Sequence, residues 1–367
     1  MFPAPASPVP GFTEMSSTLP FFKARGSWGQ IGLSLGRQLE PLIRQHLDAW
    51  LAHVVAQTGC TREDAIACAG VFAEPIEAHA PFLWEELDGL ARGCGLSVDS
   101  LLVLQARSEV QRLQTPAAKV ESECTTFAIG PSRTEHSRTY FGHNIDLPAV
   151  LEPYGVVLQH EPDDGPATLM YTGAGLLGHN GLNELGVGIC ANFIEDPAGW
   201  GIGFPRYLLS RLALCSETTD AAVRAVTAPP RAASRNLLIA DASGDMIDLE
   251  LLVGVLGELQ PDDDLLMHTN HLEAVRLKGL DTPERDSLVR RSRVETLFES
   301  ADGPVTLEVL KSFVRDHENG IDSICVHDHA TSFWKTIVSV IGDLSTRSLH
   351  VAKGNPCESE FVSYGFC

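Results

Sequence analysis

A cysteine opens an alternating, strand-like run in "KVESECTTFAIG", residues 119–130, at a place where Val or Ile is the ordinary choice. Cys124 has two readings there. As a thiol it is a small hydrophobe of a type that is commonly buried. As a nucleophile it must become a thiolate, which requires a base. No histidine stands beside it in the sequence to supply one. There is another source: if the peptide bond before Cys124 were cut, the new α-amino group would lie on the nucleophile's own residue. Its ordinary pKa of about 7.7–8.0 suits a general base near neutrality.

Other residue patterns compete for attention. "YTGAGLLG" contains a formal GxGxxG from Gly173 through Gly175 to Gly178. A dinucleotide fingerprint needs a helix to begin there, and the turn-rich "HNGLNELGVG" that follows predicts none, so an oxidoreductase is a weak alternative. His268 and His271 in "HTNH", and His327 and His329 in "HDH", lack the i, i+4 spacing of helical metal ligands and show no third ligand cluster nearby in sequence. Hydrogen-bonding roles are expected for them, and no metal. No cysteine stands in a papain-like context, which removes that hydrolase class.

The elements that must position Cys124 fall into two grammars. From about residue 30 to 115 the spacing is helical: Leu39, Ile43, Leu47, Trp50 and Val54 recur three or four apart, and "PFLWEELDGLARGCG" repeats the pattern up to a glycine stop. "SVDSLLVLQARSEVQRL" then begins with Ser and Asp at cap positions. After 123 come short β-branched or aromatic runs: "CTTFAIG", "TYFGHNID", "GVVLQHE" and "ATLMYTG", then two more joined at "NGLNELG". Helices are predicted in "FPRYLLSRLALCSETTDAAVRAV" and at about 285–318. Further strands are predicted in "RNLLIADASGDMIDLELL", "LLMHTN", "FWKTIVSVIGDL" and "SLHVAKG". Runs of strands alternating with runs of helices imply layers rather than strict βαβ winding.

Composition narrows the partners. A net charge of −21 repels nucleic acid and anionic membrane surfaces, and no apolar run is long enough for a transmembrane helix. The Pro- and Ser-rich residues 1–20 are expected to be a flexible extension, lacking the apolar core of a signal peptide. Nine scattered cysteines with no CxxC pair fit a reducing compartment, so a cytoplasmic protein is expected.

"ECTTFAIG", "YFGHNIDLP", "GAGLLGHNGLNELGVGICANFI" and "LMHTNHL" together resemble the acyl-coenzyme A:6-aminopenicillanic acid acyltransferase family of autoproteolytic amino-terminal-nucleophile (Ntn) enzymes. Upstream, "GSWGQIGLSLGRQLEPLI" and "EELDGLARGCGLSVDSLLVLQARSEV" resemble that family's pro-segment, while "SICVHDHA" and "HVAKGNPCESEFVSY" resemble its carboxyl-terminal region. The resemblance implies an α+β fold, a four-layer αββα sandwich with a mainly helical pro-segment. It implies self-cleavage between Glu123 and Cys124 into an α chain, with its helical part at 21–123, and a β chain at 124–367, which stay associated. It further implies that Cys124 carries a thioester, with Asp146 orienting its freed amine, Asn270 donating to the oxyanion and Asn192 lining the site. Arg290, in the Ser-x-x-Arg of "DSLVRRSR", is a candidate for charge support, against a solvated helix face.

The implied reaction is acyl transfer or linear amide hydrolysis, from a small-molecule acyl donor to an amine or to water. No bound cofactor is implied, and acyl-coenzyme A enters only as a co-substrate. The family often has Gly before the cysteine, where this chain has Glu123, and some relatives in the bile-salt branch carry Arg at the position of His143. Fungal members end in a peroxisomal address, and "SYGFC" is not one. A non-catalytic, unprocessed binding protein of the same fold is the alternative from another class.

Overall fold

The computed structural model of the chain describes residues 18–115, 123–329 and 334–366. The expected extension, residues 1–20, lies mostly outside the described residues, and β1 begins at Phe21. The first part holds β1 (Phe21–Gly26), α1 (Trp28–Thr58), α2 (Arg62–Ala69), α3 (Ala73–His79), α4 (Pro81–Cys94), α5 (Val98–Gln105) and α6 (Arg107–Gln114). Next come β2 (Glu123–Ile129), β3 (Tyr140–Pro148), β4 (Gly155–Pro162), β5 (Thr168–Gly173), β6 (Asn180–Asn183) and β7 (Gly188–Cys190). After α7 (Arg206–Leu214) and α8 (Thr219–Thr227) follow β8 (Arg235–Ala240), β9 (Met246–Leu251), β10 (Leu256–Leu259) and β11 (Leu265–His268). The chain closes with α9 (Arg285–Glu299), α10 (Leu307–Phe313), β12 (Trp334–Asp343), β13 (Ser348–Lys353) and β14 (Val362–Gly365).

Two sheets result, ordered β1-β4-β5-β6-β7-β8-β9-β10 and β11-β2-β3-β12-β13-β14. The period of two along each strand decides which side chain meets which layer. In the six-stranded sheet Phe127, Ile129, Tyr140 and Ile341 face out, onto Val294 and Phe298 of α9 and Leu310 and Phe313 of α10. Their neighbours Ala128, Phe141 and Val340 face in, sharing a core with Leu182, Ile189 and Leu237 of the other sheet. Helices α1, α4, α7 and α8 cover the far face of the eight-stranded sheet. The layers are therefore αββα.

The pro-segment region is no appendage. β1 pairs parallel to β4, with Phe22 opposite Leu158, and Ile31, Leu35, Ile43 and Leu83 sit in the same core as Val157 and Leu169. Its helices are pressed together by glycines: a Cβ on Gly32 would stand 1.9 Å from the Glu86 carbonyl oxygen, and one on Gly89 2.2 Å from that of Gly29. Only hydrogen side chains allow α1 and α4 so close. The "GAGLLG" run opens no helix and instead forms the turn on which these helices dock. Gly175 has φ +89° and its missing Cβ leaves room for Leu104 and Ile43. Gln105 Nε2 donates to the Gly175 carbonyl at 2.7 Å, and its Oε1 accepts from the Leu177 N–H at 3.0 Å.

Candidate active site

Cys124 is the second residue of β2, paired in register with Ile145 of β3 and only 3% exposed. On its other edge β2 is paired by β11, but that strand ends at His268, opposite Thr126. The backbone of Cys124 thus lies beyond the end of β11, and buried backbone groups must be satisfied somehow. Two side chains substitute for the missing strand. Asn270 Oδ1 accepts from the Cys124 N–H at 2.8 Å, and Arg290 Nη1 donates to the Cys124 carbonyl at 2.5 Å.

Both come from the segment that follows β11 and from α9. Arg290 is fully buried, so the solvated helix face is overturned: with Ser287 one turn earlier it forms the inner face of α9. Its guanidinium donates to Thr125 Oγ1 at 3.1 Å, to Asn270 Oδ1 at 2.9 Å and to Asp286 Oδ2 at 2.8 Å. Ser287 Oγ accepts from the Asn270 backbone N–H at 2.8 Å. The Ser-x-x-Arg spacing therefore clamps the 269–271 turn against β2. Asn270 Nδ2 donates to the Phe193 carbonyl at 2.9 Å, so its amide oxygen, not its N–H, faces Cys124 in this intact chain.

Asn192 follows β7, where its backbone N–H and C=O pair with Asn236, and its Nδ2 donates to Thr126 Oγ1 at 2.8 Å. Asp146 lies in β3 directly opposite residue 123, beside the bond preceding Cys124. A register shift between Thr336 and Val338 in β12 sets Thr336 against Asp146, and Thr336 Oγ1 donates to Asp146 Oδ1 at 2.6 Å. Cys124, Asn270 and Arg290 are thus joined by direct hydrogen bonds, Asn192 reaches them through Thr126, and Asp146 flanks them across the strand pair.

A recess opens beside Cys124, lined also by Leu147, Phe193, Arg206, Tyr207 and Arg235. The cations here were not legible as site residues. Arg107, Arg206 and Arg235 place their guanidinium carbons 4.7, 5.1 and 4.8 Å from the centre of the Tyr207 ring. Burial, the largest single influence on the Tyr207 phenol, pushes its pKa up, but the three guanidiniums together outweigh it and hold the value at about 8. Arg235 is brought down to about 10, chiefly by burial. The only hint in sequence was an Arg and a Tyr inside the apolar "FPRYLLSRLAL", which reads equally well as an ordinary helix.

The histidines divide. His268 Nε2 lies 2.9 Å from Glu250 Oε1 and Nδ1 lies 2.7 Å from the Thr269 carbonyl, so both nitrogens face acceptors. Burial opposes its charge most strongly, yet Asp248 and the Glu250 hydrogen bond prevail and raise its pKa to about 9. His271 Nδ1 meets Ser287 Oγ at 2.8 Å. His143 is held neutral by burial, its pKa lowered to about 3, so it carries no charge. His327 gathers with His317, Cys325 and Cys357, a grouping of metal-ligand types that the spacing of His327 and His329 concealed.

A four-layer αββα sandwich of this kind is the Ntn hydrolase fold. A family model described as acyl-coenzyme A:6-aminopenicillanic acid acyl-transferase matches residues 133–358, more than half of the chain, and the chain belongs to that family. It is 23% identical over 337 residues to the acyl-coenzyme A:6-aminopenicillanic-acid-acyltransferase 40 kDa form of Emericella nidulans, covering 90% of this chain and 92% of that protein. Among solved structures it is similar to penicillin V acylase from Agrobacterium tumefaciens, at 15% identity and TM-score 0.43, over 63% of this chain and 83% of that one. It is also similar to a Caenorhabditis elegans N-acylethanolamine-hydrolyzing acid amidase ortholog, at 11% identity and TM-score 0.44, over 60% and 93%. By its family the chain is an enzyme of the acyltransferase class. Among the described residues no helix is long and apolar enough to cross a membrane.

Proposed function

We propose that the chain is an autoproteolytically activated cysteine acyltransferase or amide hydrolase working through a thioester on Cys124. The observation that carries this reading is the convergence of Asn270 and Arg290 on the backbone of Cys124, at the end of a strand whose partner has stopped. In the first step the Cys124 Sγ–H adds across the Glu123 carbonyl. The C–S bond forms, the C–N bond breaks, and the thiol proton passes to the departing Cys124 nitrogen. Water then hydrolyses the ester to give the Glu123 carboxylate and a restored thiol. The freed amine stays against Asn270 Oδ1, with Asp146 across the strand pair to favour its ammonium form, and it takes the thiol proton when Sγ attacks an acyl donor. The leaving group carries that proton away, and an amine or water resolves the thioester.

Residues 21–123 and 124–367 would be the α and β chains, held together by the core and by the β1–β4 pairing. The guanidiniums of Arg206 and Arg235 beside Cys124 favour an acyl donor or acceptor with an anionic group. 6-Aminopenicillanic acid, named for the Emericella relative, is an amine of that kind, and acyl-coenzyme A is the matching co-substrate. The scattered cysteines support a cytoplasmic setting. Intact-mass analysis tests the first step: wild type should give fragments meeting at Glu123/Cys124, and Cys124→Ala a single chain. Cleavage at that bond in Cys124→Ala would sink the mechanism.

A further inference from the structure

Away from the recess, four ligand-type side chains from three separate segments converge near the surface. His317 follows α10, Cys325 and His327 precede β12, and Cys357 lies between β13 and β14. Their donor atoms all lie within 4.8 Å of one another. We propose that His317, Cys325, His327 and Cys357 form a structural Cys2His2 site for a thiophilic divalent cation, zinc being the best match.

Four of the six separations between donor atoms are close to those of a tetrahedral zinc site. Zinc–sulfur bonds of about 2.3 Å and zinc–nitrogen bonds of about 2.0–2.1 Å require separations of about 3.8 Å between sulfurs, about 3.6 Å from sulfur to nitrogen and about 3.3 Å between nitrogens. Cys325 Sγ and Cys357 Sγ are 3.7 Å apart, and His317 Nε2 and His327 Nε2 3.0 Å. His327 Nε2 lies 3.9 Å from Cys325 Sγ and 3.2 Å from Cys357 Sγ. A disulfide competes for the two sulfurs, but it needs them about 2.0 Å apart and gives the imidazoles no role.

The surroundings are those of a ligand set being held in place. Asn355 Nδ2 lies 3.5 Å from Cys325 Sγ and donates to the Val326 carbonyl at 2.7 Å. The second nitrogen of His327, Nδ1, lies 3.8 Å from Glu358 Oε1, the side on which metal-bound imidazoles commonly meet a carboxylate. Arg315 Nε donates to the Pro356 carbonyl at 2.8 Å, joining the same two segments. Neither 317–327 nor 354–361 has a strand or α-helix to fix it, which is where a cross-link stabilises most. Two thiolates and two imidazoles select zinc over the oxygen-seeking cations.

The site also has a route to the recess. Val326, between two ligands, donates its N–H to Thr336 Oγ1 at 2.9 Å, and Thr336 Oγ1 donates to Asp146. A metal fixing 325–327 would thereby fix the residue that holds the Asp146 carboxylate.

The test is metal content and zinc titration of the untagged full chain, kept reduced. Elemental analysis should find about one zinc per chain. After chelation, zinc chloride should bind again at one equivalent, tighter than micromolar against a chromophoric competitor, and cobalt should give thiolate charge-transfer bands. Cys357→Ser, at an exposed position, and Cys325→Ser should each remove at least nine-tenths of the bound zinc. No saturable binding by reduced wild type overturns the proposal. So does binding that both variants retain, or a native mass showing a Cys325–Cys357 disulfide. None of these readouts depends on cleavage at Cys124, so the two readings fail separately.

Discussion

Arg290 makes four hydrogen bonds from one buried guanidinium, and three of them hold Cys124, Thr125 and Asn270 in place. A lysine cannot reproduce that fork. Arg290→Lys should therefore slow appearance of the two fragments at least about 10²-fold, the scale on which loss of a buried site donor is felt, as followed by gel against time. The recess gives a prediction in pH. Tyr207 is neutral below about 8 and becomes a phenolate above it, which offsets the neighbouring guanidiniums. KM for an anionic substrate should rise as pH passes through about 8, and Tyr207→Phe should remove that rise. A rise of equal size in the variant would show that another group titrates. At this scale the sequence was read well for Cys124, whose odd position was visible, and less well for its neighbours. Arg290 looked like one charge among several in "DSLVRRSR", and Arg206 and Arg235 are brought to Cys124 by contacts that no local pattern announces.

Helices α1 and α4 approach so closely that any side chain at Gly32 or Gly89 collides with backbone carbonyls. Gly32→Ala or Gly89→Ala should destabilise by about 1–3 kcal/mol or more, measured by urea unfolding of Cys124→Ala to keep the chain intact. A second element-level prediction concerns the turn after β11. His268 has its pKa raised to about 9, above an unfolded value near 6.5. Its contribution is full below pH 6.5 and is lost as pH rises through about 9. Unfolding free energy should fall across that window by up to about 3 kcal/mol relative to His268→Gln. Asp248, raised to about 6 mainly by burial, completes its titration by about pH 7.5, so the fall between about 7.5 and 9 reports His268. The long strands and helices were legible because their periods were clean. β10 and β14, at four residues each, and β1 were not, since so short an edge strand is fixed by its neighbours rather than by its own pattern. The glycine stop expected in the stretch from 30 to 115 is found at Gly95, but the breaks at Gly59 and Ala80 were not legible.

Across the whole molecule, residues 18–115 and the rest of the described residues are one folding unit with a shared core. The "GAGLLG" turn shows why: its glycines, which resemble a nucleotide fingerprint in sequence, admit Leu104, Ile43 and Gln105 from the helices of the first part. After cleavage the two chains should co-elute in size exclusion and part only in denaturant. Layer order was legible from the alternation of runs, whereas which face of each sheet meets which helix depends on register, which the sequence does not display. On the proposed mechanism Cys124 cuts the bond before it and becomes the nucleophile on a new amino terminus. Amino-terminal sequencing with intact-mass analysis of freshly purified wild type tests this most directly. The prediction is a second chain beginning Cys-Thr-Thr-Phe, absent from Cys124→Ala; a single uncleaved chain in an acyl-transferring preparation would contradict it.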